Sequence, residues 1–142
     1  MKIILICPFE NEVSIKTSFE ILKLVLIEKI SVSVDKNLYK AFKKLDRNIE
    51  INIYGNLNSS ADFLFCIGGD GSMLKAVSFL KQNQIPILGI NIGRLGFLTG
   101  IQKEKLNNGI HSLKSKNYSL VNRDLLTLKI NRKIKLEFPY AL

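Results

Sequence analysis

Short apolar runs alternate with segments of helical periodicity over the first hundred residues. Five runs are typical of strands, at residues 2–7, 30–34, 49–54, 63–67 and 85–88. Between them, apolar residues recur every three to four positions after Ser14, over residues 37–45, and from Met73 to Leu80. This alternation predicts an α/β domain with a doubly wound, mostly parallel sheet.

The pattern changes after Thr99. Residues 102–116 are polar, with a weak helical stripe, and strand-like runs follow at residues 118–121, 125–130 and 134–138, with a turn at 131–132. Two strands alone are marginal in water. We therefore predict an α/β domain over residues 1–116 and, over residues 117–142, a separate strand-rich segment whose strands lack a sheet to complete them.

Three glycines surround one carboxylate directly after the apolar run at 63–67. Gly68, Gly69 and Gly71 lack Cβ atoms and allow a ligand to approach the backbone, while the helix that follows offers its first N–H groups. Such a turn can bind a phosphate, and Lys75, expected in the first helical turn, would then face an anion. The turn alone leaves a second interpretation open, in which Asp70 or Ser72 merely caps the helix.

A second glycine-rich segment favours ligand binding over capping. Residues 89–99 follow the apolar run at 85–88 and again contain closely spaced glycines. Two such junctions about twenty residues apart fit adjacent parallel strands. Their loops would open at the same carboxyl edge of the sheet, where open α/β sheets bind ligands.

Together the two segments resemble the NAD kinases, which are related to the diacylglycerol and sphingosine kinases and resemble 6-phosphofructokinase in fold. The family pattern is Gly-Gly-Asp-Gly-Thr followed, one strand later, by Asn-x-Gly-x-Leu-Gly-Phe-Leu-Thr. Residues 68–72 and 91–99 match it in order, with Ser72 in place of the usual threonine. Lipid-kinase relatives generally lack the second motif, so it carries most of the specificity.

The resemblance implies ATP-dependent phosphorylation of the 2′-hydroxyl of the adenosine ribose of NAD, which gives NADP. It makes Asp70 the catalytic base and implies a divalent cation, Mg²⁺, that accompanies ATP. It also implies a homo-oligomer, while the lack of a secretory or membrane segment in the sequence favours the cytoplasm. The residues expected to bind nucleotide are Gly68, Gly69, Asp70, Gly71, Ser72, Lys75, Asn91, Gly93, Arg94, Gly96 and Phe97.

Two of these residues have an alternative role. Phe97 would offer an aromatic face to a base of the dinucleotide, although core packing is the default for a phenylalanine in so apolar a loop. Arg94 fits either a phosphate contact or plain surface. No dedicated metal-ligand cluster is visible in the sequence, because the single His111 lies in a polar helical stretch.

Composition supports a globular protein without membrane or nucleic-acid partners. The 142 residues are 46% hydrophobic and 23% charged, and no segment is typical of a signal peptide or a membrane span. The net charge of +9 comes mostly from dispersed lysines, whereas arginine forks are typical of nucleic-acid recognition. Cys7 and Cys66 both lie in apolar strands, which indicates packed free thiols.

Two other functions stay open at this point. One is a lipid or sphingoid kinase of the same superfamily; the other is a non-catalytic module that binds nucleotides or nucleic acid. NAD kinases are longer and have a β-rich second domain, whose NAD-binding Asn-Glu or Asn-Asp pair commonly follows a step such as Ala141-Leu142. We therefore expect this chain to be a fragment that is inactive by itself.

Overall fold

Six parallel strands form the central sheet of the computed structural model, which describes residues 1–54, 61–80, 83–94, 96–127 and 140–141. Along the sheet the strands run in the order β3-β2-β1-β4-β5-β6, and every neighbouring pair is parallel. The strands are β1 (Lys2–Ile6), β2 (Ser31–Val34), β3 (Asn52–Ile53), β4 (Phe63–Ile67), β5 (Ile87–Asn91) and β6 (Ile101–Gln102). The predicted fold class is confirmed.

Within the described ranges, four α-helices cover the two faces of this sheet. They are α1 (Glu12–Ile27), α2 (Lys36–Leu45), α3 (Asp70–Leu80) and α4 (Leu106–Lys114), the last preceded by a 3₁₀ turn at Lys103–Lys105. Apolar residues of α1, α2 and α4 pack on one face, and α3 packs on the other. No helix among the described residues is long and apolar enough to cross a membrane.

Side-chain caps fix where the first two helices begin. The Asn11 Oδ1 atom accepts from the Ser14 N–H at 2.8 Å, and the Ser14 hydroxyl accepts from the Asn11 N–H at 2.8 Å. This reciprocal pair places the start of α1 at Glu12, so the predicted start after Ser14 is wrong. In α2, the Asp35 carboxylate accepts from the N–H groups of Asn37 and Leu38.

Strand β4 is buried on both faces at the centre of the sheet. Phe63, Phe65 and Ile67 face the helices on one side, while Leu64 and Cys66 face α3 on the other. Such two-sided burial explains the uninterrupted apolar run in the sequence.

Both cysteines are buried free thiols, as predicted. Cys7 belongs to the core on the α1 face of the sheet and Cys66 to the core on the α3 face. Burial raises the pKa of the Cys66 thiol to about 12, which leaves it protonated and unreactive at neutral pH.

Two strand boundaries differ from those predicted. Strand β5 continues through Gly89 to Asn91, where the apolar run at 85–88 had suggested that a loop begins. A Cβ atom at Gly89 would lie 2.7 Å from the Met73 Sδ atom and 3.0 Å from the Thr99 Cα atom. Glycine therefore allows close packing within a strand here. At the sheet edge, β3 is limited to Asn52–Ile53, shorter than the predicted 49–54.

The end of the chain differs more from the prediction. Residues 118–121 are exposed and form no strand. Strand β7 (Leu126–Thr127) pairs antiparallel with β8 (Tyr140–Ala141). Residues 128–139 lie outside the described residues, and they include the end of the predicted strand at 125–130, the predicted turn at 131–132 and the predicted strand at 134–138.

Candidate active site

The two glycine-rich segments meet at the carboxyl edge of the sheet. Strands β4 and β5 are parallel neighbours, with Cys66 paired to Gly89 and Ile67 to Ile90. The loops after them therefore open on the same side, as predicted. The sheet order reverses between β1 and β4, so this edge is also the topological switch point at which open α/β sheets bind ligands.

Gly68 makes the sharp turn from β4 into α3. Its φ of +140° is a conformation that residues with side chains rarely adopt, and a Cβ atom there would lie 2.0 Å from the Ser72 Oγ atom. The Gly68 N–H donates to the Ile90 carbonyl at 3.0 Å, which ties the turn to β5. Only glycine satisfies both the backbone angle and the contact.

Asp70 is the first residue of α3, and its carboxylate contacts the loop after β5. The Oδ2 atom accepts from the Phe97 N–H at 3.0 Å, and the Oδ1 atom accepts from the Leu98 N–H at 2.9 Å. Asp70 is therefore more than a helix cap, because its carboxylate joins two segments 27 and 28 residues apart in sequence. An aspartate is already ionised at neutral pH, and the N–H of Leu98 and then that of Phe97 lower the pKa of this carboxyl group further.

Gly96 allows the loop to approach that carboxylate. A Cβ atom at position 96 would lie 2.1 Å from the Asp70 Oδ1 atom and 2.7 Å from the Oδ2 atom. These distances are far shorter than any real contact, so any other residue at 96 would push the loop and the carboxylate apart.

Asn91 shapes the same loop from inside. Its side chain is only 3% exposed. The Nδ2 group donates to the Arg94 carbonyl at 2.9 Å and to the Thr99 hydroxyl at 3.2 Å, while the Oδ1 atom accepts from the Gly93 N–H at 2.7 Å. The amide thus braces both ends of the loop.

Phe97 points away from the core. Its side chain is 95% exposed, so core packing, the default for this residue on composition alone, is wrong. Arg94 and Gly93 are exposed on the same loop. The loop therefore presents an aromatic face, a cation and an open glycine to solvent.

The other residues of the first motif lie around the N-terminus of α3. Ser72 is buried, whereas Gly69 and Gly71 are exposed. Lys75 is the sixth residue of α3 and so lies in its second turn; its expected place in the first turn is wrong. Helical side chains lean toward the N-terminus, and the Lys75 ammonium lies 3.9 Å from the centroid of the Phe9 ring.

Phe9 was missed by the sequence analysis. It lies in the loop between β1 and α1, and its side chain is 49% exposed. The available signal was topological: β1 is the neighbour of β4 across the switch point, so the loop after β1 opens at the same edge. The apolar residue beside Pro8 gave no such indication by itself.

The described part of the chain contains no group of three or more His, Cys, Asp or Glu residues that could hold a metal ion. Asp70 is the one carboxylate of the two motifs, and His111 is exposed on α4. A Mg²⁺ ion held by one carboxylate and by substrate phosphates would be compatible with this arrangement, whereas an all-protein metal cage would not.

Two solved structures share the fold. A yeast NADH kinase complexed with NADH superposes with a TM-score of 0.69 at 18% identity, over 80% of this chain and 38% of that one. An NAD kinase from Archaeoglobus fulgidus in complex with ATP gives a TM-score of 0.51 at 21% identity, over 82% and 38%. At these identities the likeness concerns the fold alone.

Similarity in sequence goes further. The NAD kinase of Christiangramia forsetii is 36% identical over 116 residues, which are 79% of this chain and 40% of that protein. The NAD kinase of Methanothermobacter thermautotrophicus is 30% identical over 144 residues, or 100% and 47%. The chain thus spans less than half the length of these relatives. Residues 3–118 match the family model of the ATP-NAD kinase N-terminal domain, so the chain belongs to the NAD kinase family.

Proposed function

We propose that the protein to which this chain belongs transfers a phosphoryl group from ATP to the 2′-hydroxyl of the adenosine ribose of NAD and so forms NADP. One observation carries the proposal in a chain of this family: an ionised carboxylate, Asp70, is held at the switch point by the backbone of the second family motif. The chain would supply the nucleotide-facing part of the enzyme, because its relatives are more than twice as long.

Asp70 is proposed to be the base. Each of its oxygens accepts one N–H bond, and a carboxylate oxygen has two lone pairs, so each can still accept a hydroxyl. The lowered pKa makes this carboxylate a weak base. It would therefore orient the ribose hydroxyl and take its proton late, after most of the bond to phosphorus has formed.

The turn from β4 into α3 is the proposed phosphate site. Gly68, Gly69 and Gly71 would let phosphates approach the backbone, and the first N–H groups of α3 would bind them. Ser72 keeps the hydroxyl of the family threonine. Lys75 would add a positive charge beside these phosphates.

The loop after β5 is the proposed dinucleotide wall. The exposed ring of Phe97 suits stacking on a base of NAD, and Arg94 suits a phosphate. Because Gly93 and Gly96 have no side chains, the dinucleotide could approach the backbone of this loop. Asn91 would act by holding the loop in place through its three hydrogen bonds.

ATP and NAD are the proposed substrates, and the relatives named NAD kinase that match this chain in sequence support this choice. Mg²⁺ would enter with the ATP phosphates and neutralise part of their charge. We also propose a cytoplasmic homo-oligomer. The division into an α/β nucleotide-binding domain over residues 1–116 and the opening of a β-rich domain over residues 117–142 belongs to the same proposal.

A comparison of acceptor substrates tests the proposed function. The full natural gene product that carries this chain is incubated with ATP, Mg²⁺ and one acceptor at a time. The acceptors are NAD, NADH, sphingosine and diacylglycerol. The expected result is NADP from NAD, with no phosphorylated lipid. Phosphorylation of a lipid alone would move the assignment to the lipid kinases. Binding of nucleic acid that weakens steeply with salt, without turnover of NAD, would support a non-catalytic module.

A further inference from the structure

The ring of Phe9 lies beside the first motif, in a loop that neither family motif includes. The Lys75 ammonium sits 3.9 Å from the ring centroid, within the range of a cation–π interaction. The edge of the same ring lies 3.5 Å from the place where a Cβ atom of Gly71 would be. The ring thus contacts Lys75 and lies beside Gly71, one helical turn earlier on α3.

The backbone of Phe9 is held in place. Its carbonyl accepts from the Ser14 hydroxyl at 2.8 Å, and that hydroxyl also accepts from the Asn11 N–H in the cap of α1. The loop is therefore anchored to a buried residue of α1, because Ser14 is only 4% exposed. An aromatic ring on an anchored backbone stays near the same part of α3 and can attract a flexible side chain there.

Lys75 has a reason to need such support. A lysine side chain is long and loses rotamer entropy when it is fixed, and the N-terminal end of a helix repels a cation. The ring of Phe9 attracts the ammonium by its π-electrons and keeps it close to the first turn of α3.

From these contacts we infer that Phe9 is a positioning residue, which holds the Lys75 ammonium ready for a phosphate of ATP. The inference rests on the proposed function and adds a residue from the β1–α1 loop to the site. Phe9 itself need not touch the nucleotide. Its effect on ATP binding passes through Lys75.

A double-mutant cycle tests this inference in the full natural gene product. The variants are Phe9→Leu, Phe9→Tyr, Lys75→Met and the double variant Phe9→Leu/Lys75→Met, with Lys43→Met as a control. Lys43 lies 5.7 Å from the ring of Tyr39 on α2, so the control removes an ammonium from the same kind of contact on a different helix. The Kd for ATP is measured by calorimetry. The KM for ATP and kcat are measured with NAD as the acceptor.

Phe9→Leu is expected to raise the Kd and the KM for ATP about two- to fivefold. This is the loss of affinity expected when one cation–π contact at an exposed site is removed. The kcat should not change. Phe9→Tyr keeps the aromatic face and should bind ATP as the parent does, and Lys43→Met should do so too. In the Lys75→Met background, Phe9→Leu should have no further effect.

Three results would overturn the inference. These are an unchanged Kd in Phe9→Leu, an equal loss of affinity with and without Lys75, and a loss in Phe9→Tyr as large as that in Phe9→Leu. Thermal unfolding shows whether each variant keeps the fold, and the ring-current shift of the Lys75 ε-protons shows whether the parent and Phe9→Tyr have the contact. A parent protein that binds ATP but forms no NADP would contradict the proposed function, while the cycle would still decide the role of Phe9.

Discussion

Two backbone N–H groups of a distant loop donate to the Asp70 carboxylate, and they hold it in position. The residue types were predictable, because a carboxylate among glycines at the end of a buried strand indicates a site. The partners were not predictable, because hydrogen bonds between residues 70, 97 and 98 depend on how two loops meet in space. In the sequence, Gly96 appeared only as part of a motif. The structure explains why glycine stands there, because a Cβ atom would overlap the Asp70 carboxylate.

Replacement of Gly96 by alanine tests this contact. The new Cβ atom would overlap the Asp70 carboxylate, so we expect Gly96→Ala to lower the free energy of unfolding by about 1–3 kcal/mol. Gly93→Ala is the matched control, because nothing lies within 4 Å of its added Cβ atom. Denaturant unfolding measures both. Equal stability of the two variants would show that the loop does not press against Asp70.

The charge of Asp70 gives a pH dependence with a definite sign. The N–H groups of Leu98 and Phe97 lower its pKa in the folded protein. Their stabilising effect should be complete above the unfolded pKa of ~3.9 and be lost as the pH falls through the lower folded value. NMR titration of the Asp70 carboxyl carbon between pH 2 and 6 should place its pKa below that of a model peptide. An Asp70 pKa at or above that of the peptide would mean that the two hydrogen bonds are absent in solution.

At the scale of elements, hydrophobic periodicity predicted the order and type of the strands and helices up to β5, and the helical stripe of α4. It missed β6, because this edge strand has only two residues, Ile101–Gln102, and shows no periodicity. Boundaries were less predictable where side-chain caps or close packing decide them. Asn11 and Ser14 extend α1 backwards by a reciprocal cap, and Gly89 lets β5 continue where a glycine suggested a loop. The strand expected at residues 118–121 does not form: its apolar residues are exposed, and no strand in the described part of the chain pairs with them.

The start of α2 depends on one carboxylate. Asp35 Oδ1 accepts from the Asn37 N–H at 2.7 Å and from the Leu38 N–H at 2.8 Å. Asp35→Ala should therefore lower the free energy of unfolding by about 0.5–2 kcal/mol, whereas Asp35→Asn, an equally good cap, should change it little. Thermal or denaturant unfolding of both variants checks this. If the alanine variant were as stable as the asparagine variant, the cap would contribute nothing.

At the scale of the whole molecule, the sheet order brings three loops to one edge. The loops after β1, β4 and β5 carry Phe9, Asp70 and Phe97. The two family motifs predicted the last two loops, and only the topology added the first. The chain spans less than half the length of its relatives, so the activity of the complete protein rests on the proposal that this edge faces NAD and ATP.

The role of Asp70 in NADP formation is the central claim, and one comparison tests it most directly. NADP production from NAD, ATP and Mg²⁺ is measured for the full natural gene product, its Asp70→Asn variant and an Asp46→Asn control. Asp46 ends α2 at the opposite edge of the sheet and accepts from the Asn48 N–H at 2.9 Å, a bond that asparagine can keep.

Loss of a general base typically lowers turnover by about 10²–10⁴-fold. We therefore predict a fall of that size in kcat for Asp70→Asn, with the fold retained and with Asp46→Asn as active as the parent. Parent-like turnover by a folded Asp70→Asn variant would contradict the assignment of Asp70 as the base.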